Sequence, residues 1–101
     1  MAVIYEVTLH AQPEIADAYL AWLREHIAGM LALPGFVSAE LDELLTESTT
    51  ERSWCVRYLL ADRSALDDYL RDHAPRMRAA GIARFGNAFR AERRVLMPLD
   101  C

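Results

Sequence analysis

Six side chains supply the raw material of a small-molecule site: Tyr5, His26, Trp54, Tyr58, His73 and Arg93. An imidazole is partly neutral near pH 7 and can accept a proton or donate a hydrogen bond. Arginine offers a planar fork of N–H donors that matches a carboxylate. Tyrosine and tryptophan add flat apolar walls with a polar tip, and aromatic walls with a few converging polar groups are what a small-molecule site needs. On this reading His73 is the catalytic candidate, a proton acceptor, and Tyr5, His26, Trp54, Tyr58 and Arg93 are the binding candidates. Each also has a plainer role. A histidine on an apolar stripe is commonly a core residue satisfied by a carbonyl or a hydroxyl, Arg93 could pair with a helix acid, and Trp22 and Trp54 could simply pack. Other chemistries lack their motifs: there is no Gly-rich phosphate loop, no metal-spaced His/Glu pair, no CxxC and no nucleophile elbow. No metal and no cofactor is expected. Cys55 has no neighbouring histidine in sequence to activate it, and no role is assigned to Cys101.

The elements that must position these residues follow from hydrophobic periodicity. Val3, Tyr5, Val7 and Leu9 alternate with Ile4, Glu6, Thr8 and His10, the period of a strand. Gln12-Pro13-Glu14 opens a helix, with proline near its first position. Its apolar stripe runs through Ile15, Tyr19, Trp22, Leu23, His26, Ile27 and Met30 until Leu33-Pro34-Gly35 ends it. A second strand spans 36–45, and a polar turn over 46–52 leads to a third strand over 53–60, making a hairpin. Ser64 is the expected N-cap of the second helix, with Asp67 three residues on. Its stripe is Leu66, Tyr69, Leu70, His73 and Met77. Pro75 cannot sit in a helix interior, so this helix should end or kink near His73 and restart at Pro75. Gly81 and Gly86 are expected to close the restarted piece, and a last strand covers 89–97.

This order, βαββαβ, with right-handed crossovers placing both helices on one side of the sheet, gives an α+β ferredoxin-like sandwich with a four-stranded sheet of antiparallel type. One domain covering 1–101 is expected. Alternation assigns Val3, Tyr5, Val7, Val37, Ala39, Leu41, Trp54, Val56, Tyr58, Ala91, Arg93 and Val95 to the helix-facing side. The opposite side receives Glu6, Thr8, His10, Ser38, Glu40, Asp42, Cys55, Arg57, Leu59, Arg90, Glu92, Arg94 and Leu96, with Ile4, Phe36 and Leu44 among the charges. That second face is too mixed for a core and too apolar for a bare solvated face. It reads as a homodimer face, on which Glu6, Glu40 and Asp42 pair with Arg57, Arg90 and Arg94.

Composition narrows the partners. The net charge is −4, which argues against nucleic acid. Residues 1–51 carry nine acids against the single base Arg24, whereas 52–101 carry ten bases against six acids, and every base is arginine. Strands from the two halves side by side would form ion-pair ladders. Arg71, Arg76, Arg78, Arg84, Arg90, Arg93 and Arg94 alternate around the elements that carry them, as a solvated surface with ion pairs would, instead of lining one nucleic-acid-binding face. The sparse cysteines fit a reducing compartment. The first residues lack the basic start of a signal peptide, and no stretch approaches the roughly 20 apolar residues of a membrane helix. A cytoplasmic location without membrane contact is the expectation.

Tyr5-Glu6-Val7, the Trp22/His26 helix, His73-Ala74-Pro75-Arg76, Arg84-Phe85-Gly86 and Arg93-Arg94-Val95-Leu96 together resemble a family of short bacterial proteins of unknown function. The likeness covers nearly the whole chain. That family looks like a branch of the dimeric α/β-barrel superfamily, which includes antibiotic-biosynthesis monooxygenases, haem-degrading monooxygenases and stress-responsive barrel proteins. The resemblance implies the fold, a back-to-back sheet dimer and a ligand space between helices and sheet. It implies no reaction, because this fold hosts many chemistries. Haem-degrading relatives rely on an Asn, a Trp and a haem-ligating His, and Asn87 is the sole Asn here. Three readings follow. The first is a homodimeric domain that binds a small, partly aromatic or carboxylated metabolite. The second is a cofactor-independent monooxygenase-like enzyme using Tyr58, Trp54 and His73, and the third is a structural dimerisation module.

Overall fold

The computed structural model describes residues 1–47 and 50–99; the tip of the expected 46–52 turn and Cys101 lie outside the described residues. The elements run β1 (Val3–Ala11), α1 (Ala16–Leu31), β2 (Phe36–Leu44), β3 (Arg52–Leu60), α2 (Arg63–Asp72), α3 (Ala74–Phe85) and β4 (Phe89–Leu96). All strand pairings are antiparallel, in the order β2-β3-β1-β4. This is the expected ferredoxin-like α+β arrangement, with three helices where an unbroken pattern would give two.

The third helix exists because of Pro75. His73 closes α2, its N–H bonding the Tyr69 carbonyl (2.9 Å), and the same residue opens α3, with proline in the first turn where no donor is needed. Other local expectations shift by a few residues. Asp62, not Ser64, caps α2, its carboxylate accepting from Ala65 N at 2.8 Å. Residues 13–15 form a turn ahead of α1 and are not its first helical turn. Gly81 lies buried inside α3, and Gly86 alone ends that helix, at φ 60°. Gly35, at φ 84°, leaves α1, and any Cβ there would collide with Ala65 of α2.

Cross-strand register sorts the side chains into two faces. The helix-facing side carries the rows Leu41–Val56–Val7–Arg93 and Ala39–Tyr58–Tyr5–Val95. The outer side carries Glu40–Arg57–Glu6–Arg94 and, beside it, Ser38–Leu59–Ile4–Leu96. The alternation holds with one correction. A bulge sets both Phe36 and Val37 against Leu60, which reverses the frame at the start of β2. Val37, expected inside, is 60% exposed, and Phe36, expected outside, packs edge-on against Tyr58 and Tyr69.

The core lies between the sheet and the helices. Val3, Val56, Tyr58 and Leu60 of the sheet meet Tyr19, Leu23 and Met30 of α1 and Leu66 and Tyr69 of α2. Spacings of three, four and seven residues bring each helical set onto one face. No helix among the described residues is long and apolar enough to cross a membrane.

Candidate functional site

The core does not fill the whole space between the layers. Beyond Val7 and Leu9 α3 contributes Met77, Arg78, Gly81 and Ile82 to the helical layer, and a cavity of about 520 Å³ opens between α1, α3 and the β1–β4 side of the sheet. Small-molecule sites span roughly 300–1,000 Å³. Gly81 sets one wall: a Cβ there would stand 3.1 Å from the Trp22 ring and 3.3 Å from Phe89, so the glycine lets both rings border the opening.

Four of the six sequence candidates line this cavity: Tyr5 and Tyr58 from β1 and β3, His26 from α1 and Arg93 from β4. Two do not. Trp54 is 1% exposed and belongs to the core, stacked on Tyr19 (centroids 5.9 Å, 17°) and covered by the Arg52 guanidinium 5.3 Å from its ring centroid. Its indole N–H is buried without a hydrogen-bond partner among the described residues. His73 stands at the α2–α3 junction, where its Nδ1 lies 2.7 Å from Arg76 Nη2, outside the cavity lining. The break that Pro75 imposes turns His73 out of the stripe that α2 would have continued. The lining also includes Tyr19, Trp22, Tyr69, Met77, Gly81, Asn87 and Phe89, which the sequence placed in helical stripes, turns or the last strand, and Arg78, which it placed on a solvated surface. The signal for Trp22 was its place four residues before His26 on one helical face. For Arg78 there was none.

The polar groups at this site are few. His26 stacks on Trp22 (centroids 4.7 Å, 18°). Burial, reinforced by the positive charge of Arg93, lowers its pKa below the ordinary imidazole value, so it is neutral at pH 7 and able to take a proton or accept a hydrogen bond. Tyr5 accepts a hydrogen bond at its hydroxyl from Arg78 Nη2 at 3.1 Å. Burial raises the pKa of Tyr19 and Tyr58, and it pushes Tyr69 up to about 12 with help from Tyr5, so these phenols stay protonated donors.

The outer face is arranged differently. Glu6 is 5% exposed yet doubly paired: Oε1 lies 2.6 Å from Arg94 Nε and Oε2 3.3 Å from Arg57 Nε. Arg90 pairs with Glu51 and Glu92, at 3.2 and 3.0 Å. His10 Nδ1 lies 2.6 Å from Ser53 Oγ, and its Nε2 lies 3.6 Å from Glu92. The expected ladder is thus present within one chain for Glu6, Arg57 and Arg94. Cys55 is half-buried among these groups, and burial followed by the Glu6 charge raises its pKa, which keeps it a thiol.

Four antiparallel strands carrying helices on one face make this an α+β protein of ferredoxin-like type, a fold it shares with several solved structures. Rv0793 from Mycobacterium tuberculosis is 24% identical with a TM-score of 0.71, covering 99% of this chain and 97% of its own. A provisionally assigned antibiotic biosynthesis monooxygenase from Deinococcus radiodurans is 14% identical with a TM-score of 0.75, covering 98% and 94%. SnoaB, a cofactor-independent oxygenase from Streptomyces nogalater, is 15% identical with a TM-score of 0.69, covering 98% and 95%. At these identities the likeness is one of fold. Residues 2–99 match a domain of unknown function, DUF4286, and the chain belongs to that family. No curated protein is similar to it in sequence.

Proposed function

We propose that this chain is a small-molecule-binding domain whose ligand occupies the cavity between α1, α3 and the sheet, and that it works as a homodimer joined through the outer sheet face. The observation that carries the first part is the hollow itself. A protein built only to associate would gain by filling it, since an unfilled apolar volume forfeits packing. Instead, Gly81 keeps it open beside six aromatic rings (Tyr5, Tyr19, Trp22, Tyr58, Tyr69 and Phe89) and a neutral imidazole. The dimer reading rests on the outer row Leu59–Ile4–Leu96, apolar and half-buried, next to the Glu6 carboxylate paired with Arg57 and Arg94. Apolar area beside satisfied charges suits an interface, because the charges need no new partner when water leaves.

Titration with 2-naphthol, followed through Trp fluorescence and by a crystal structure of the complex, tests the cavity. Saturable quenching with the naphthol seated against Trp22 and His26 is expected, and a naphthol found elsewhere, or no binding, overturns the reading. Sedimentation equilibrium of the protein and of Ile4→Arg tests the dimer. A dimer that the substitution dissociates is expected, and a wild-type monomer refutes it.

A second reading, cofactor-independent oxygenation of an electron-rich aromatic, is favoured by His26. A neutral imidazole stacked on a ring at the cavity wall is placed to accept a phenol proton, a role that His73 cannot fill from outside the lining. SnoaB is an oxygenase of that kind on the same fold. Oxygen uptake with naphthols and hydroquinones, lost in His26→Gln, would support it, and its absence across the panel would leave a binding protein.

A further inference from the structure

Acids outnumber bases in this chain by fifteen to eleven, yet no Asp or Glu among the described residues lines the cavity. Arginine does. Of the arginines there, Arg90 is already held by Glu51 and Glu92, but Arg78 and Arg93 have no carboxylate within ion-pair distance among the described residues. Elsewhere Arg52, Arg57, Arg63, Arg71 and Arg94 each meet an acid. Arg24, Arg76 and Arg84 also lack an acid partner among the described residues, but none of them lines the cavity, so the charge inside the cavity is positive and uncompensated.

The two arginines also lie to either side of Tyr5. Arg78 bonds the Tyr5 hydroxyl from α3, while Arg93 occupies the inner-face position diagonal to Tyr5, opposite Val7 on the neighbouring strand. Both charges act on Tyr69, and Arg93 reaches Tyr19 and His26 of α1 as well. A cavity with apolar walls and one sign of charge focuses its field and selects a ligand of the opposite sign, even in a protein that is negative overall.

Building on the cavity reading of the preceding section, we infer that the ligand is an aromatic carboxylate whose negative group is held by Arg78 and Arg93 beside the Tyr5 hydroxyl. Its flat body lies along Trp22 and Tyr19. Arginine forks give the carboxylate two-point recognition that a neutral amide of the same shape cannot match. The protonated phenols around them add donors and no competing negative charge.

The test compares 2-naphthoate with 2-naphthamide, which has nearly the same shape and no charge, by calorimetry at pH 7.5 and low salt. The acid is expected to bind the wild type at least about tenfold more tightly, in keeping with charge-assisted hydrogen bonds to a guanidinium. Arg93→Gln and Arg78→Gln should each erode that preference and the double variant abolish it, with amide affinity unchanged. Arg63→Gln, remote from the cavity and paired with Asp67, should preserve it. Both cavity arginines are exposed and have no acid partner among the described residues, so their removal should leave the fold intact. Equal binding of acid and amide by the wild type overturns the carboxylate assignment while the cavity reading stands. A preference that survives in the double variant overturns it too. Failure of both probes to bind overturns the cavity reading and this inference together.

Discussion

The two faces of the sheet use the same strands and treat charge in opposite ways. Outside, the carboxylate of Glu6 is buried between two arginines, and Arg90 has two acids. Inside, two arginines stand at the rim of an aromatic cavity without an acid. A face that compensates its own charges can be covered by protein at little electrostatic cost. A face that leaves one sign uncompensated is suited to a charged small molecule. The division does not separate folding energy from function, because the inner face holds both the packed core and the hollow, which meet along β1.

The largest test of this contrast is Trp54→Ala. Trp54 fills the packed end of the inner face, and its loss should cost about 3–5 kcal/mol in urea unfolding. Next, Arg57→Gln with Arg94→Gln strands the buried Glu6 carboxylate. The thermal midpoint should fall by several degrees, and adding Glu6→Gln should restore most of it; no recovery would mean that the arginines act through packing alone. A smaller effect belongs to pH. Because burial holds the His26 pKa below its unfolded value, the unfolded state takes up the proton first. Stability should be full above the ordinary histidine value near 6.5 and decline as pH falls below it. Melting curves at pH 7.5 and 5.0 should show a gap that narrows in His26→Gln. The smallest change is Gly81→Ala. Gain in helix propensity, about 1 kcal/mol, should offset crowding against Trp22 and Phe89, leaving stability within roughly 1 kcal/mol of wild type. Naphthol affinity should nevertheless drop several-fold, which separates the hollow from the core it adjoins.

The fold was largely legible because both strand and helix periods are clean, and because Pro75 announces the break between α2 and α3. Tyr5, His26, Tyr58 and Arg93 were legible for the same reason: alternation and the helical stripe put them in the layer where the cavity lies. What escaped depends on distances between elements. A stripe shows that Trp22 and Tyr19 face inward but not that α3 stands clear of them, since that follows from Gly81, where a Cβ would press on Trp22. His73 looked like a stripe residue until the helix broke beside it. Arg78 came into reach only because the restarted helix α3 brings its guanidinium to Tyr5. The reversal of Phe36 and Val37 came from one extra residue, which alternation alone cannot register.

That extra residue matters beyond the side chains it swaps. Strand β2 lies at the margin of the sheet, where unpaired amides and carbonyls invite a foreign strand to add on. A bulge bends such a margin and tightens its twist, so that a straight second strand cannot run along it in register. Open-ended growth into fibres is thereby discouraged at that edge, and a concentrated solution of this protein should stay free of ribbon-like aggregates for as long as Val37 remains out of step.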